Sequence, residues 1–138
     1  MTAYVDSSIV LRKLQREAGS LATWGQWEYA CSSELLRVEV LRTIDRNRFR
    51  GALTDRDVTE LVRRAQAVFD ALEFVVLSRP ILNRASQSFL TPLRTLDALH
   101  LATALRLSEI GRMDLVFLTH DAELATAARG VNFQVEGV

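Results

Sequence analysis

Two hydrophobic periods share this chain. Residues 3–5, 74–77 and 115–119 are short apolar runs with β-branched or aromatic members, and they read as buried strands; residues 29–32 and 133–135 are shorter candidates of the same kind. Between them, apolar positions recur at helical spacing. The first strand runs into a helix at Asp6-Ser7-Ser8, where any of the three side chains can serve as cap. Residues 21–27 read as a short helix after the Gly19-Ser20 break. A longer helix spans 34–47, capped by Ser32-Ser33, with Leu36, Val40, Thr43 and Ile44 on one face and an end near Gly51. Thr54 opens the next one, with Asp57 in the capping-box position, and it runs to the neighbourhood of Leu72. Pro80 opens a short helix to Phe89, and Thr91-Pro92 makes a turn. Residues 96–107 form a helix closed by Gly111, and residues 121–128 a last one with Gly130 at its end. Strands separated by one or two helices predict parallel pairing in an α/β sheet.

The helix over 96–107 contains an anomaly. Leu96, Ala98, Leu99, Leu101, Ala102, Ala104, Leu105 and Leu107 make it apolar on nearly every side, so it is expected to be buried. Yet Asp97 sits in its first turn, and an unpaired buried carboxylate is costly. Either Asp97 complements the helix dipole beside a Thr95 or Thr91 cap, or it is a ligand on which other carboxylates converge.

Composition narrows the choice only a little. A chain of 138 residues can bury a real core as one domain, 1–138. No apolar run is long enough to span a membrane, and Asp6 and Arg12 interrupt the first hydrophobic segment, which argues against a signal peptide. The single cysteine, Cys31, excludes an internal disulfide, fits a cytoplasmic location and reads as a buried small hydrophobe. Formal net charge is zero, so contact with a polyanion must come from a local patch. The cations are sixteen Arg and one Lys, Lys13, and Arg is the side chain that reads phosphates bidentately.

Four acids stand where a ligand would bind. Asp6 ends the first strand and Asp121 follows the strand over 115–119, so both point to the carboxyl edge of the sheet, where open α/β folds place their crevice. Glu39 borders the apolar face of its helix, and Asp97 begins its own helix, which can lie at the same edge. Local ion pairs with Arg42 and Arg94 are the simpler reading of Glu39 and Asp97, and a turn or cap role is the simpler reading of Asp6 and Asp121. An oxygen-only cluster suits Mg²⁺ or Mn²⁺ rather than zinc, and such ions activate water for in-line displacement at a phosphodiester.

The segments around these acids resemble a known family. Tyr4-Val-Asp-Ser-Ser, Ser33-Glu-Leu-Leu-Arg-Val-Glu-Val-Leu-Arg, Leu96-Asp-Ala-Leu-His-Leu-Ala and Leu118-Thr-His-Asp are similar to the four blocks of PIN-domain ribonucleases, and closest to the VapC toxins of bacterial toxin–antitoxin pairs. The likeness spans the whole chain, in order. It implies a three-layer α/β/α fold around a parallel sheet of four or five strands, and RNA cleavage dependent on Mg²⁺ or Mn²⁺. By position it implies that Asp6, Glu39, Asp97 and Asp121 form the acidic site, catalytic and metal-binding, with Thr119 and Ser7 supporting it through their hydroxyls. It further implies a homodimer, an RNA substrate such as tRNA or rRNA, and an antitoxin whose tail plugs the groove. Asp121 is the loosest match; Asp114 is nearby but would precede its strand and point to the wrong end.

Other residues invite other chemistry. His100 follows Asp97 by three, but no Glu-x-x-His partner exists for a di-iron site, and it reads as a core or supporting histidine. His120 reads as a solvated loop histidine. Ser7-Ser8 lacks a Gly-x-Ser-x-Gly elbow, Ser8 stands where an aspartyl-phosphate phosphatase needs a second Asp, and no Gly-rich phosphate loop is present. Trp24 and Trp27 are either core or part of an antitoxin or dimer surface. From Arg37 to Arg50, five Arg face Glu39 and Asp45, which is either a solvated helix face or a rail for an RNA backbone through Arg37, Arg42 and Arg46. The leading expectation is therefore a metal-dependent endoribonuclease toxin. The alternative is a non-catalytic PIN-like module that binds RNA or protein.

Overall fold

Five parallel strands in the order β3-β2-β1-β4-β5 make the centre of the computed structural model, which describes residues 1–16 and 18–138. They are β1 (Thr2–Val5), β2 (Tyr29–Ser33), β3 (Glu73–Val75), β4 (Leu115–Leu118) and β5 (Gln134–Glu136). The described helices are α1 (Ser7–Leu14), α2 (Leu35–Phe49), α3 (Asp55–Asp70), α4 (Arg79–Ala85), α5 (Thr95–Ile110) and α6 (Ala122–Gly130). The strand pleat sorts the core into two layers. Ala3 and Val5 of β1 and Leu118 of β4 pack with Ile9, Val10, Leu36, Val40, Ala65 and Phe69 of α1, α2 and α3. Tyr4 and Phe117, the next residues along the same strands, face the opposite way, against Leu101, Ala104 and Leu105 of α5 and Leu124 and Ala128 of α6. The result is the three-layer α/β/α arrangement the sequence led us to expect.

Local chemistry sets the ends of these elements. Asp6 caps α1 by accepting from the Ser8 amide, and Thr54 and Asp57 form the reciprocal capping box of α3. Gly51, at φ +75°, turns the chain out of α2 in the left-handed region that a side chain disfavours. Ser33 supports the start of α2 by accepting from the Leu35 amide, whereas Ser32 instead donates to the Val5 carbonyl.

Three expectations need correction. Residues 21–27 form successive turns rather than a helix, held by the Trp24 amide on Leu21 and the Gln26 amide on Thr23. Gly25 sits at φ +77°, and seven residues are too few to nucleate a helix against that break. The helix from Pro80 stops at Ala85 instead of Phe89, where the Ser86 hydroxyl turns back to the Leu82 carbonyl. His120 is half-buried, not solvated, and its Nδ1–H donates to the Gly137 carbonyl at 2.7 Å.

Helix α5 is buried on every side from Ala98 to Leu105. Alanines at 98, 102 and 104 let it approach β2, β4, α4 and α6 closely, so its N-terminus is held rigidly at the sheet edge. Leu101 is wholly buried, while Leu96, one turn and a half earlier on the same helix, is 46% exposed. Leu101→Ala is expected to cost about 2–5 kcal/mol through cavity formation, and Leu96→Ala no more than about 0.5 kcal/mol. Urea titration of the two variants checks this contrast; equal losses would contradict the burial of α5.

Candidate active site at the carboxyl edge of the sheet

Chain order reverses between β1 and β4: β2 and β3 extend the sheet to one side of β1, β4 and β5 to the other. Such a switch point leaves a crevice beyond the strand ends, because the following helices lie on opposite faces. Asp6 stands there. Its amide continues the parallel ladder by donating to the Leu118 carbonyl at 3.0 Å, which sets it beside Thr119. Its carboxylate, only 3% exposed by residue, accepts from the Ser8 hydroxyl at 2.6 Å and the Thr119 hydroxyl at 2.9 Å on one oxygen. The Ser7 hydroxyl reaches the other oxygen at 3.5 Å.

Asp121 enters from the same strand end. Its amide donates to the Thr119 hydroxyl at 3.0 Å, and its Oδ1 caps α6 by accepting from the Leu124 amide at 2.9 Å. Asp97 arrives from the first turn of α5. Burial raises its pKa to about 6, and the nearby charges of Asp121 and Asp6 push in the same direction, against weaker opposition from Arg94 and His100. The carboxylates therefore feel one another across one space.

Glu39 comes from α2 on the other side of the sheet edge. It makes no local ion pair: Arg42 bonds Asp45 at 3.0 Å. Glu39 turns inward instead, accepting from the Ser7 hydroxyl at 3.2 Å on Oε2 and lying 2.5 Å from His100 Nε2 on Oε1. His100 is fully buried, 3.9 Å from Asp6 as well, and its Nδ1 meets the Tyr4 hydroxyl at 2.8 Å. Burial disfavours a charged imidazole there, but the Glu39 hydrogen bond and the charges of Asp6, Glu39 and Asp97 outweigh it and raise the His100 pKa. Burial also pushes the Tyr4 phenol well above its usual range.

One cleft is lined by all four acids, with Ser7, Ser8, Arg42, Arg46 and Arg94 among its polar residues and Leu11, Leu35, Val38 and Leu96 among its apolar ones. Thr119 supports it from below through Asp6. Arg37 lies elsewhere than the RNA rail suggested, and the tryptophans take the core reading. Arg37 points away from the cleft, its guanidinium 5.4 Å from the Phe69 ring centre. Trp24 and Trp27 pack edge to face at the margin of the α1–α3 core and line no part of the cleft. Cys31 is a core residue whose thiol is pushed up to about 12 by burial, which removes it as a nucleophile.

Some participants left little trace in the sequence. Ser8 makes the shortest hydrogen bond to Asp6 and also accepts from the His120 amide at 2.9 Å. Arg94 lies 3.9 Å from Asp97, as its spacing allows, but equally 3.8 Å from Asp121, far away in the chain. As a donor set, four carboxylates with hydroxyl support fit a hard divalent cation. Among the described residues, no three His, Cys, Asp or Glu side chains are already drawn together closely enough to hold one.

The Asp97 shift has a consequence for stability. The folded state keeps a proton that the unfolded chain loses near pH 4, so this stabilisation is complete below that pH and lost as pH rises through about 6. In EDTA, Asp97→Asn is expected to melt with wild type at pH 4. At pH 7.5 it should be more stable by about 1–2 kcal/mol, the full shift being reduced by solvent screening at the half-open cleft. Thermal melts across that range check the sign; a variant less stable at pH 7.5 would make Asp97 a structural cap.

Comparison with known proteins gives the family. The PIN domain family matches residues 3–130, which include all four acids. Ribonuclease VapC47 of Mycobacterium tuberculosis is 33% identical over 137 residues, covering 94% of this chain and 92% of that protein. Ribonuclease VapC46 of the same species is 33% identical over 138 residues, covering 96% and 94%. Among solved structures, a toxin-antitoxin complex from Klebsiella pneumoniae shares the fold with a TM-score of 0.66 over 97% of this chain and 95% of that one, at 17% identity. With its switch-point crevice, its converging acids and these relatives, the chain belongs to the PIN-domain family and is of the VapC type.

Proposed function

We propose that this chain is an endoribonuclease dependent on Mg²⁺ or Mn²⁺, and the toxin of a type II toxin–antitoxin pair. The observation that carries the reading is the convergence of Asp6, Glu39, Asp97 and Asp121 on one cleft, close enough for Asp121 and Asp6 to help lift the Asp97 pKa. A protein that only bound RNA would gain nothing from a repulsive cluster facing a polyanion. The names of its relatives, Ribonuclease VapC47 and VapC46, support the same reaction class.

In this reading the four carboxylates hold the ion, which supplies an activated water and offsets charge on the phosphodiester. The chain's own residues do the rest. Ser8 and Thr119 fix the Asp6 carboxylate, and Ser7 ties it to Glu39. Arg42 and Arg46, on the cleft-facing side of α2, grip the RNA backbone. Arg94 sits on the rim with 80% of its side chain exposed, free to leave two acids at non-hydrogen-bonding distance for a phosphate oxygen.

Purified protein freed of any partner should cut RNA in Mg²⁺ or Mn²⁺ and be silent in EDTA. Asp6→Asn and Asp97→Asn should each lower the rate at least about a hundredfold while still folding, because each removes a charge that holds the ion. RNA binding without cleavage, identical in wild type and variants, would favour the binding module instead.

Partners follow from the same cleft. Leu11, Leu35, Val38 and Leu96 form an apolar approach ending at the acids, suited to an antitoxin segment with an apolar helix and a basic side chain at its tip. The exposed Leu82 and Leu90, which lie outside the cleft, are available to a second copy of the chain. Reversing the charge of the antitoxin's terminal basic residue should release RNA cleavage far more than it weakens the complex. Inhibition unchanged by that reversal would place the antitoxin elsewhere.

A further inference from the structure

Helix α5 carries one polar side chain that packing alone does not call for. His100 is completely buried, as are Leu101 and Ala102 beside it in the chain, and a buried imidazole is costly unless both nitrogens find partners. Both do, and the partners define a direction. The Ser33 amide can only donate, so the Tyr4 oxygen accepts from it at 3.2 Å, and the Tyr4 hydroxyl is left to face His100 Nδ1 at 2.8 Å. Nε2 faces the Glu39 carboxylate at 2.5 Å and bears a proton whether or not the ring is charged, since a bare nitrogen would repel the carboxylate. The bond to Glu39 is thus independent of the state of Nδ1, which can accept from Tyr4 or donate to it.

This chain of contacts joins β1, α5 and α2 beneath the cleft. Tyr4 is fixed in β1 by stacking on Phe117 at 5.2 Å, and it adjoins Val5 and Asp6. His100 is one turn after Asp97 on α5. Glu39 is on α2, and instead of pairing with the neighbouring Arg42, which bonds Asp45, it turns to His100.

We propose that His100 is the positioning residue of the acid cleft, holding the Glu39 carboxylate in one rotamer beside Asp6 and Asp97, with Tyr4 fixing the imidazole in turn. This rests on the reading of the cleft as a metal site. A glutamate on a helix surface has several rotamers; held by His100 on one oxygen and Ser7 on the other, it presents its remaining lone pairs from a fixed place. The role is to preorganise one ligand, and His100 need touch neither ion nor RNA.

The test measures Mn²⁺ binding to the purified, folded protein by calorimetry without RNA, with melting temperature recorded beside it. His100→Leu removes both hydrogen bonds at similar volume and should weaken Mn²⁺ binding about 10–100-fold. His100→Gln restores a donor toward Glu39 and should recover most of that loss. In a Glu39→Gln background, His100→Leu should cause no further loss, since the residue it positions is gone. Tyr4→Phe, which keeps the stacked ring, should weaken binding about three- to tenfold, and it stands in if His100→Leu does not fold. Unchanged Mn²⁺ affinity in the folded His100→Leu protein, or in Tyr4→Phe when it stands in, would overturn the proposal and make His100 a core residue only. Asp97→Asn separates the two readings: if it abolishes Mn²⁺ binding while the His100 variants do not, positioning fails alone. If Asp97→Asn binds Mn²⁺ like wild type, the metal site itself is wrong, and the proposal falls with it.

Discussion

The parallel pairing of β1 with β4 is the constraint on which the cleft depends. Four residue pairs, from Thr2 with Leu115 to Val5 with Leu118, bring two strands more than a hundred residues apart into register. The ladder then runs one step past the sheet, through the Asp6 amide and the Leu118 carbonyl. That extra step places Asp6 against Thr119 and, two residues on, Asp121. A one-residue slip would turn every side chain of β1 to the other face. Tyr4 would leave the α5 layer, where it meets His100, for the layer that holds Ile9 and Val40. The apolar pattern of both strands, with opposite faces buried under α1–α3 and under α5 and α6, makes such a slip expensive. Register in the core therefore sets geometry at the edge.

Once the acids are assembled there, their repulsion must be offset without filling the space between them. The chain uses different means for different members. Asp6 receives hydroxyl hydrogen bonds from three residues on two segments. Asp121 spends one oxygen on the α6 cap. Glu39 is bound by an imidazole and a hydroxyl. Asp97 receives none of these; burial and neighbouring charge act on it, and its pKa rises accordingly to about 6. The least supported acid is also the one on the helix with the most buried residues among the described helices. Strain that a mobile element would relieve by moving away is retained in α5, because Ala98 to Leu105 is packed on all sides.

Much of this was readable from the residues in order. Strand and helix periods, the Thr54–Asp57 capping box and the closing glycine of α2 are local features, and local patterns report local structure. The four acids were legible for a related reason: each sits at a strand end or in a helix turn, where position along the chain already fixes direction. Grouping Arg37 with Arg42 and Arg46 was a misreading that helical phase could have prevented, since Arg37 is about 200° around the helix from Glu39 while Arg42 and Arg46 follow it at three and seven residues. Long-range partners were not legible. Nothing near Arg94 announces Asp121, and nothing near Tyr4 announces His100; those contacts exist only once β1, β4 and α5 have docked. Residues 21–27 misled for the opposite reason, since their apolar spacing served packing of Trp24 and Trp27 on the core through turns, with no helix formed.

The polar side chains inside the molecule can be read together on this basis. A core of this size could exclude His100, Ser32, Ser33 and Thr119 and be filled by apolar residues instead. All four are completely buried. Thr103, also buried, answers only its own helix through the Leu99 carbonyl, the usual fate of an interior threonine. The Ser33 hydroxyl supports the start of α2 by accepting from the Leu35 amide. The other three behave differently. Ser32 bonds the Val5 carbonyl, immediately before Asp6; His100 holds Glu39; Thr119 bonds Asp6 and the Asp121 amide. Each therefore acts on an acid of the cleft or on a residue beside one. Polar groups placed for stability alone would be spread through the core or replaced by packing, because a satisfied buried hydrogen bond contributes little net energy. Their concentration beneath one end of the sheet is explained by what they hold in place.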